Sequence, residues 1–174
     1  MIERQTGHQL IGLLDRTMLW LNRAILLPCM LALLSAAAIL TYSVMARYFL
    51  KISTDWQDEA SVFLLVGATF LASATVQQHR GHVGIEALAA ILPRAVNTAR
   101  LFLVDIASLA FCAFFSWKSW TLLHEAVVEG HTSATSWAPP LWIPYGTMAL
   151  GMSLLCAQIL LQLALRLFAQ ESPR

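Results

Sequence analysis

Four long runs of apolar residues, separated by short segments that carry nearly all of the charge, constrain this chain more than any other feature. Lys, Arg, Asp and Glu make up 12% of its 174 residues and hydrophobic residues make up 58%, against about 45–50% in a soluble domain. A bilayer core about 30 Å thick needs roughly 20 apolar residues of helix to cross it. Backbone groups in lipid must be bonded internally, which favours helices. The sequence therefore predicts an all-α membrane protein of one domain, residues 1–174, and excludes most soluble enzymes.

The four runs predict transmembrane helices at about 24–46, 60–78, 101–122 and 141–165. Two further segments, at about 8–23 and 84–99, have apolar residues at helical spacing and predict amphipathic helices that lie on the membrane surface. In the first of them Asn22 belongs to the polar arc, and in the second Pro93 introduces a break or kink. An alternative is that both segments are extensions of the transmembrane helices and pack on neighbouring helices.

The distribution of basic residues predicts the orientation. Eight of the 11 Lys and Arg residues fall in the N-terminal segment, the second connection and the C-terminal segment. The positive-inside rule then places both termini in the cytoplasm. Aromatic residues that favour the headgroup layer cluster at the opposite helix ends: Trp56, Trp117, Trp120, Trp137, Trp142, Tyr48 and Tyr145. An aromatic ligand-binding patch is the alternative interpretation of this cluster.

Ionisable groups inside a membrane are candidates for function, because each costs about 2.5–3.5 kcal/mol at the helix centre. Asp105 is the only acid inside a predicted span, and Arg94 and Arg100 precede it. This position favours a structural ion pair or an inter-helix hydrogen bond over ion coupling. The five histidines lie outside the spans and offer no facing pair for haem, and the three cysteines show no paired metal spacing. We expect no catalytic, cofactor or metal site, and a net charge of +1 is too small to indicate nucleic-acid binding.

Polar residues bracket both ends of the second apolar run. Those before it are Arg47, Tyr48, Ser53, Trp56 and Glu59, and those after it are His82, Glu86 and Pro93. Glu59 suits the positive, N-terminal end of the second helix. Arg47 or Lys51 is placed to pair with Asp58 or Glu59 across the short turn, and an Arg47–Glu59 pair that supports the turn is the specific hypothesis.

These residues resemble the small, DctQ-like membrane subunit of tripartite ATP-independent periplasmic (TRAP) transporters. That family pairs Arg and an aromatic residue at the end of the first helix with a Ser, a Trp and a Glu at the start of the second. A His-Ile-x-Val-Asp-like stretch follows and ends near Leu-Pro. Two departures are Glu86, where Asp is usual, and Ala72, where Gly is expected.

The resemblance implies a non-catalytic scaffold subunit in the bacterial inner membrane. Its expected partners are a large membrane subunit and a periplasmic solute-binding protein. The large subunit carries the substrate, usually an organic acid anion, together with sodium, by an elevator-like movement, so sodium is expected on the partner. Acidic residues on the outer side are then expected to border the docking surface for the binding protein: Asp55, Asp58, Glu125 and Glu129.

Two functions of other classes remain as alternatives. A membrane-anchor subunit of a haem- or quinone-linked redox enzyme would show a visible absorption spectrum, and the placement of the histidines argues against it. A self-sufficient small efflux protein would need an acid deep in the first span, which has none.

Overall fold

The computed structural model describes residues 2–78 and 94–170, and within them the chain is almost entirely helical. Helix α1 (Ile2–Met45) continues into one π-helical turn (Ala46–Leu50), and α2 (Asp55–Gln78), α3 (Arg94–Val128) and α4 (Trp142–Gln170) follow. Each of the four contains a segment long and apolar enough to cross a membrane. The predicted all-α fold with four membrane-spanning helices is confirmed.

Helix α1 is continuous where an interfacial helix followed by a separate span was predicted. No Gly or Pro stands between Gly12 and Pro28, so nothing in the sequence interrupts the helix near residue 23. Its 44 residues extend about 66 Å, at about 1.5 Å per residue, which is more than twice the thickness of the bilayer core. The predicted boundary at residues 23 and 24 was wrong, and the alternative of a helix extension fits this segment.

The second predicted surface helix, 84–99, falls largely outside the described residues, as do His82, Glu86 and Pro93. Its last residues, 94–99, form the first turns of α3 without a break before the third span. That part of the segment is again an extension of a transmembrane helix.

The helices pack in a row in the order α1, α2, α4, α3. The main contacts join α1 to α2, α2 to α4, and α4 to α3, whereas α1 and α4 touch over a short stretch. In the membrane-crossing segments 28% of the residues of α2 and of α4 are buried, against 11% in α1 and 17% in α3. The two outer helices therefore leave most of their apolar surface uncovered.

Small side chains allow the two middle helices to approach closely. A Cβ atom added at Gly151 of α4 would overlap the backbone carbonyl group of Phe70 in α2, whereas Gly67 of α2 faces Thr147 at ordinary contact distance. Buried Cys112, Met152 and Ile159 form the apolar core beside this crossing and join α3 to α4.

Two connections meet at one end of the row, which we call the loop end (residues 46–58 and 125–145). The first, after the π turn, begins with Lys51 in the left-handed region (φ 52°). Helix α3 ends at Val128, and Gly130 follows with a φ of 65°, which allows the amide of His131 to bond the carbonyl of Ala126 at 3.1 Å. Residues 131–141 then fold back on themselves, with a bridge between Thr132 and Pro140. We call the opposite end, which holds the start of α1 and the end of α4, the terminal end.

Candidate functional site

A polar clamp at the loop end joins α1 to α2. Nη2 of Arg47 lies 2.6 Å from Oδ2 of Asp58 and 2.6 Å from Oγ1 of Thr54, and the hydroxyl of Ser43 donates to Oδ1 of Asp58 at 3.0 Å. Thr54 is buried directly before the first residue of α2. The side chains of Arg47 and Asp58 remain 60% and 48% exposed, so the pair is screened by solvent and adds little stability by charge alone. The clamp fixes the angle at which the chain turns between the two helices.

The predicted Arg47–Glu59 pair was wrong, because Arg47 binds Asp58 instead. Neighbouring residues on a helix point about 100° apart, so Asp58 faces α1 while Glu59 faces the 131–141 loop. There Glu59 accepts a hydrogen bond from the hydroxyl of Ser133. The other carboxylate oxygen of Glu59 is buried without a hydrogen-bond partner. Glu59 thus holds the 131–141 loop in place, whereas Asp58 holds the turn between α1 and α2.

Three other residues of the sequence cluster lie on the surface of the loop end. Tyr48, Ser53 and Trp56 are exposed, and the ring of Tyr48 packs edge-on against Phe49 at 5.1 Å between centroids. All five tryptophans of the predicted aromatic belt are between 47% and 69% exposed. The structure therefore brings these aromatic side chains toward one end of the row.

The four acids predicted to border a docking surface separate into two kinds. Asp55, Glu125 and Glu129 are exposed at the loop end, and Glu129 lies 2.8 Å from Nε2 of His131. Asp58, in contrast, is occupied by the clamp. Three of the four are thus available to a partner, whereas Asp58 supports the turn.

Asp105, the intramembrane acid, is 9% exposed in α3 and does not lack an interaction partner. The nearby Arg100 donates to Oδ1 of Asn97 at 3.1 Å. Burial with a partner is what a structural role requires, and that role stays a prediction.

A second polar group, near the terminal end, was not predicted. Nδ2 of Asn22 in α1 donates to Oε1 of Gln78 in α2 at 2.9 Å and to Oε1 of Gln158 in α4 at 3.2 Å. Gln77 and Gln162 exchange a further pair of hydrogen bonds between α2 and α4. We call these five residues the amide cluster. The available signal was the spacing of Gln158 and Gln162, four apart and so on one face of an otherwise apolar helix.

The amide cluster also corrects the position of Asn22. The periodicity placed it on the outward polar arc of a surface helix, but its side chain is 1% exposed. In a bilayer an amide avoids lipid by turning toward polar groups of neighbouring helices, so the polar arc of this segment faces the bundle at that position.

The two polar groups stand about one bilayer core apart. Asp58 and Gln78 are 20 residues apart on α2, which corresponds to about 30 Å of helix. Between them, hydroxyls of α2 bond carbonyls of their own helix at Ser61, Thr69 and Ser73, and the hydroxyl of Thr75 donates to the backbone carbonyl of Asn22 in α1 at 3.4 Å. The clamp thus ties α1 to α2 at the loop end, and the amide cluster ties α1, α2 and α4 together nearer the terminal end.

No group of three or more His, Cys, Asp or Glu side chains is placed to hold a metal ion within the ranges that the structure describes. His124 and His131 are exposed at the loop end. The side chain of His8, and His79 and His82, lie outside what is described.

The resemblance to the small TRAP subunit was compared with models of known protein families. A family model described as "Tripartite ATP-independent periplasmic transporters, DctQ component" matches residues 36–169. The match contains the clamp, Glu59, the exposed acids and most of the amide cluster. A search of curated proteins gave no match. Since the matched residues cover well over half of the chain and all four helices contribute to them, the chain belongs to the DctQ component family of TRAP transporters.

Proposed function

We propose that this chain is the small, non-catalytic scaffold subunit of a TRAP-type secondary transporter that imports an organic acid anion with sodium. It pairs with a large membrane subunit and a periplasmic solute-binding protein in the bacterial inner membrane, with both of its termini in the cytoplasm. Family membership supports the assignment to a transporter component. The substrate class, sodium coupling and partners follow the resemblance described above.

The observation that carries the scaffold role is the pair of polar connections near the two ends of α2. The Arg47–Asp58 clamp ties α2 to α1 at the loop end, and the amide cluster ties α2 to α1 and α4 near the other end. A subunit that moves substrate by an elevator-like movement must shift its helices relative to a fixed frame. Helices cross-linked at both ends are suited to be the frame.

The uncovered faces of α1 and α3 support the partnership with a second membrane protein. Large apolar side chains on both outer helices are more than half exposed, including Leu34 at 68%, Leu103 at 69% and Phe111 at 62%. Surface of this kind must face lipid tails or another transmembrane helix. A row of four helices offers two broad faces, so one can pack on the large subunit while the other remains in lipid.

Affinity purification of the tagged chain from membranes tests this proposal. We expect a membrane protein of a dozen or so helices, encoded beside this chain together with an exported binding protein, to co-purify in a fixed ratio. Vesicles that contain all three proteins should take up the substrate, and vesicles that contain this chain alone should not. Solute transport by the isolated chain would overturn the scaffold role.

A further inference from the structure

An apolar groove of about 460 Å³ opens between α1 and α4 at the terminal end. Its walls are Thr17, Met18 and Leu21 of α1 and Ala157, Leu160, Leu161 and Ala164 of α4. The groove exists because α2 stands between α1 and α4 along most of their length, so these two helices contact each other over a short stretch. Six of its seven wall residues are apolar, the exception being Thr17, and none of the wall residues that the structure describes is charged.

A neighbouring recess on α1 adds charge to this surface. It is lined by Arg16, Thr17, Trp20 and Leu21, so it shares Thr17 and Leu21 with the groove. Arg16 is exposed, and among the side chains that the structure describes it makes no ion pair. Trp20, at 78% exposed, is the most exposed of the six tryptophans. A cation and an indole ring therefore stand beside an apolar groove.

The charged group lies on the terminal side of the groove. Arg16 precedes Met18 and Leu21 on α1, which begins at the terminal end. Arg and Trp side chains near the end of a membrane-crossing helix favour the level of the lipid headgroups, so the apolar groove extends from Arg16 toward the acyl chains. The surface therefore matches the layout of a phospholipid, with the charged group at the outer end and the apolar groove further into the membrane.

We propose that this groove binds one acyl chain of an anionic phospholipid, whose phosphate is held by Arg16 with Trp20 beside the headgroup. The guanidinium group provides the charge complementarity, since it donates two parallel hydrogen bonds to phosphate oxygens. The α1 residues of the site precede the part of the chain that the family model matches. The site therefore does not depend on the proposed function.

Native mass spectrometry of the full-length chain in detergent tests the headgroup part of the site. The probes are dioleoyl phosphatidylglycerol, which is anionic, and dioleoyl phosphatidylcholine, which has the same chains and no net charge. We expect the anionic lipid to bind about fivefold more tightly, the order expected for one basic residue. Arg16→Gln should remove this preference, whereas Arg23→Gln, at an exposed position on the same helix outside the groove, should retain it.

A second variant tests the groove itself. Ala164→Phe fills it and should weaken binding of both lipids at least tenfold, whereas Ala110→Phe, at an exposed position on α3, should leave both unchanged. Equal affinities of the two lipids for the unmodified chain would overturn the proposal, and so would a folded Ala164→Phe variant that binds normally.

A photo-crosslinking residue at position 20 decides the occupant in cell membranes, even if Ala164→Phe does not fold. We expect adducts with phospholipid. Capture of another protein, whether a second copy of this chain or a larger membrane subunit, would show that the surface is a protein interface and would overturn the lipid site.

Discussion

At the scale of single residues, two adjacent acids have different roles because of the geometry of a helix. Asp58 and Glu59 differ in direction by about 100°, which sends one to Arg47 and the other to Ser133. The sequence indicated that Arg47 pairs across the turn, but it did not distinguish the two acids. That distinction depends on the π turn Ala46–Leu50, which sets the direction of Arg47 and has no clear sequence signal.

A double-mutant cycle measures the clamp. Arg47→Gln and Asp58→Asn should each lower the free energy of unfolding, and their coupling energy should be about 0.5–1 kcal/mol, since the pair is more than a third exposed. The measurement is equilibrium unfolding in mixed detergent and SDS micelles. The matched control combines Arg47→Gln with Glu59→Gln, for which we expect additive effects. Coupling of Arg47 to Glu59, and none to Asp58, would show that the clamp is wrongly assigned.

Asn22 gives a second prediction at this scale. Asn22→Ala removes two hydrogen bonds that tie α1 to α2 and α4. Hydrogen bonds between transmembrane helices average about 0.6 kcal/mol each, so we expect a loss of about 1 kcal/mol in the same unfolding measurement. Thr41→Ala is the control, because Thr41 bonds only the Ala37 carbonyl of its own helix and should change stability little. A loss no larger than that of the control would mean that the amide cluster does not brace the bundle.

At the scale of elements, the existence of the four helices was predictable, because an apolar run of about 20 residues has few other structures available in lipid. Their ends were less predictable. Helix α1 begins well before residue 24 and α3 before residue 101, since polar residues continue a helix as readily as apolar ones where no Gly or Pro intervenes. The order in which the helices pack, α1, α2, α4 and α3, was not predictable, because it depends on which small residues come into contact between helices. Gly151 against Phe70 becomes visible only when both helices are in place.

The contact between α2 and α4 is tested with two glycines of the same helix. Gly151→Ala introduces a Cβ that overlaps the backbone of Phe70, so the helices must separate, and we expect a loss of about 1–3 kcal/mol. Gly146→Ala places its Cβ 3.8 Å from Leu123, an ordinary contact, and should be neutral or stabilise by up to about 1 kcal/mol through helix propensity. Unfolding in mixed micelles compares the two variants. Equal stability of both would contradict the close approach of the helices.

At the scale of the whole molecule, the polar contacts connect the helices to one another, and the apolar surface leaves room for lipid and for a partner protein. Polar contacts near the two ends of α2 connect it to α1 and α4, and the weakly buried outer helices leave large faces for lipid and for a partner. Composition alone predicted a membrane protein without a mid-membrane charge, and the resemblance supplied the partner. The loop end combines exposed acids, Asp55, Glu125 and Glu129, with the clamp beside them, and it is there that we propose the binding protein docks.

Charge reversal at the loop end tests this surface in the assembled transporter. Asp55→Lys, Glu125→Lys and Glu129→Lys should each raise the concentration of binding protein needed for half-maximal uptake by about three- to tenfold. The maximal rate should stay unchanged, because charges at the rim of an interface act mainly on association. Arg23→Glu, a charge change of equal size and opposite sign at the terminal end, is the control, and quantitative immunoblotting of membranes verifies that every variant inserts. Higher salt should reduce the differences between the variants and the unmodified chain, since exposed charges are screened.

Asp58→Lys is left out of the comparison, because Asp58 belongs to the clamp. Normal uptake by all three variants would show that the binding protein docks elsewhere.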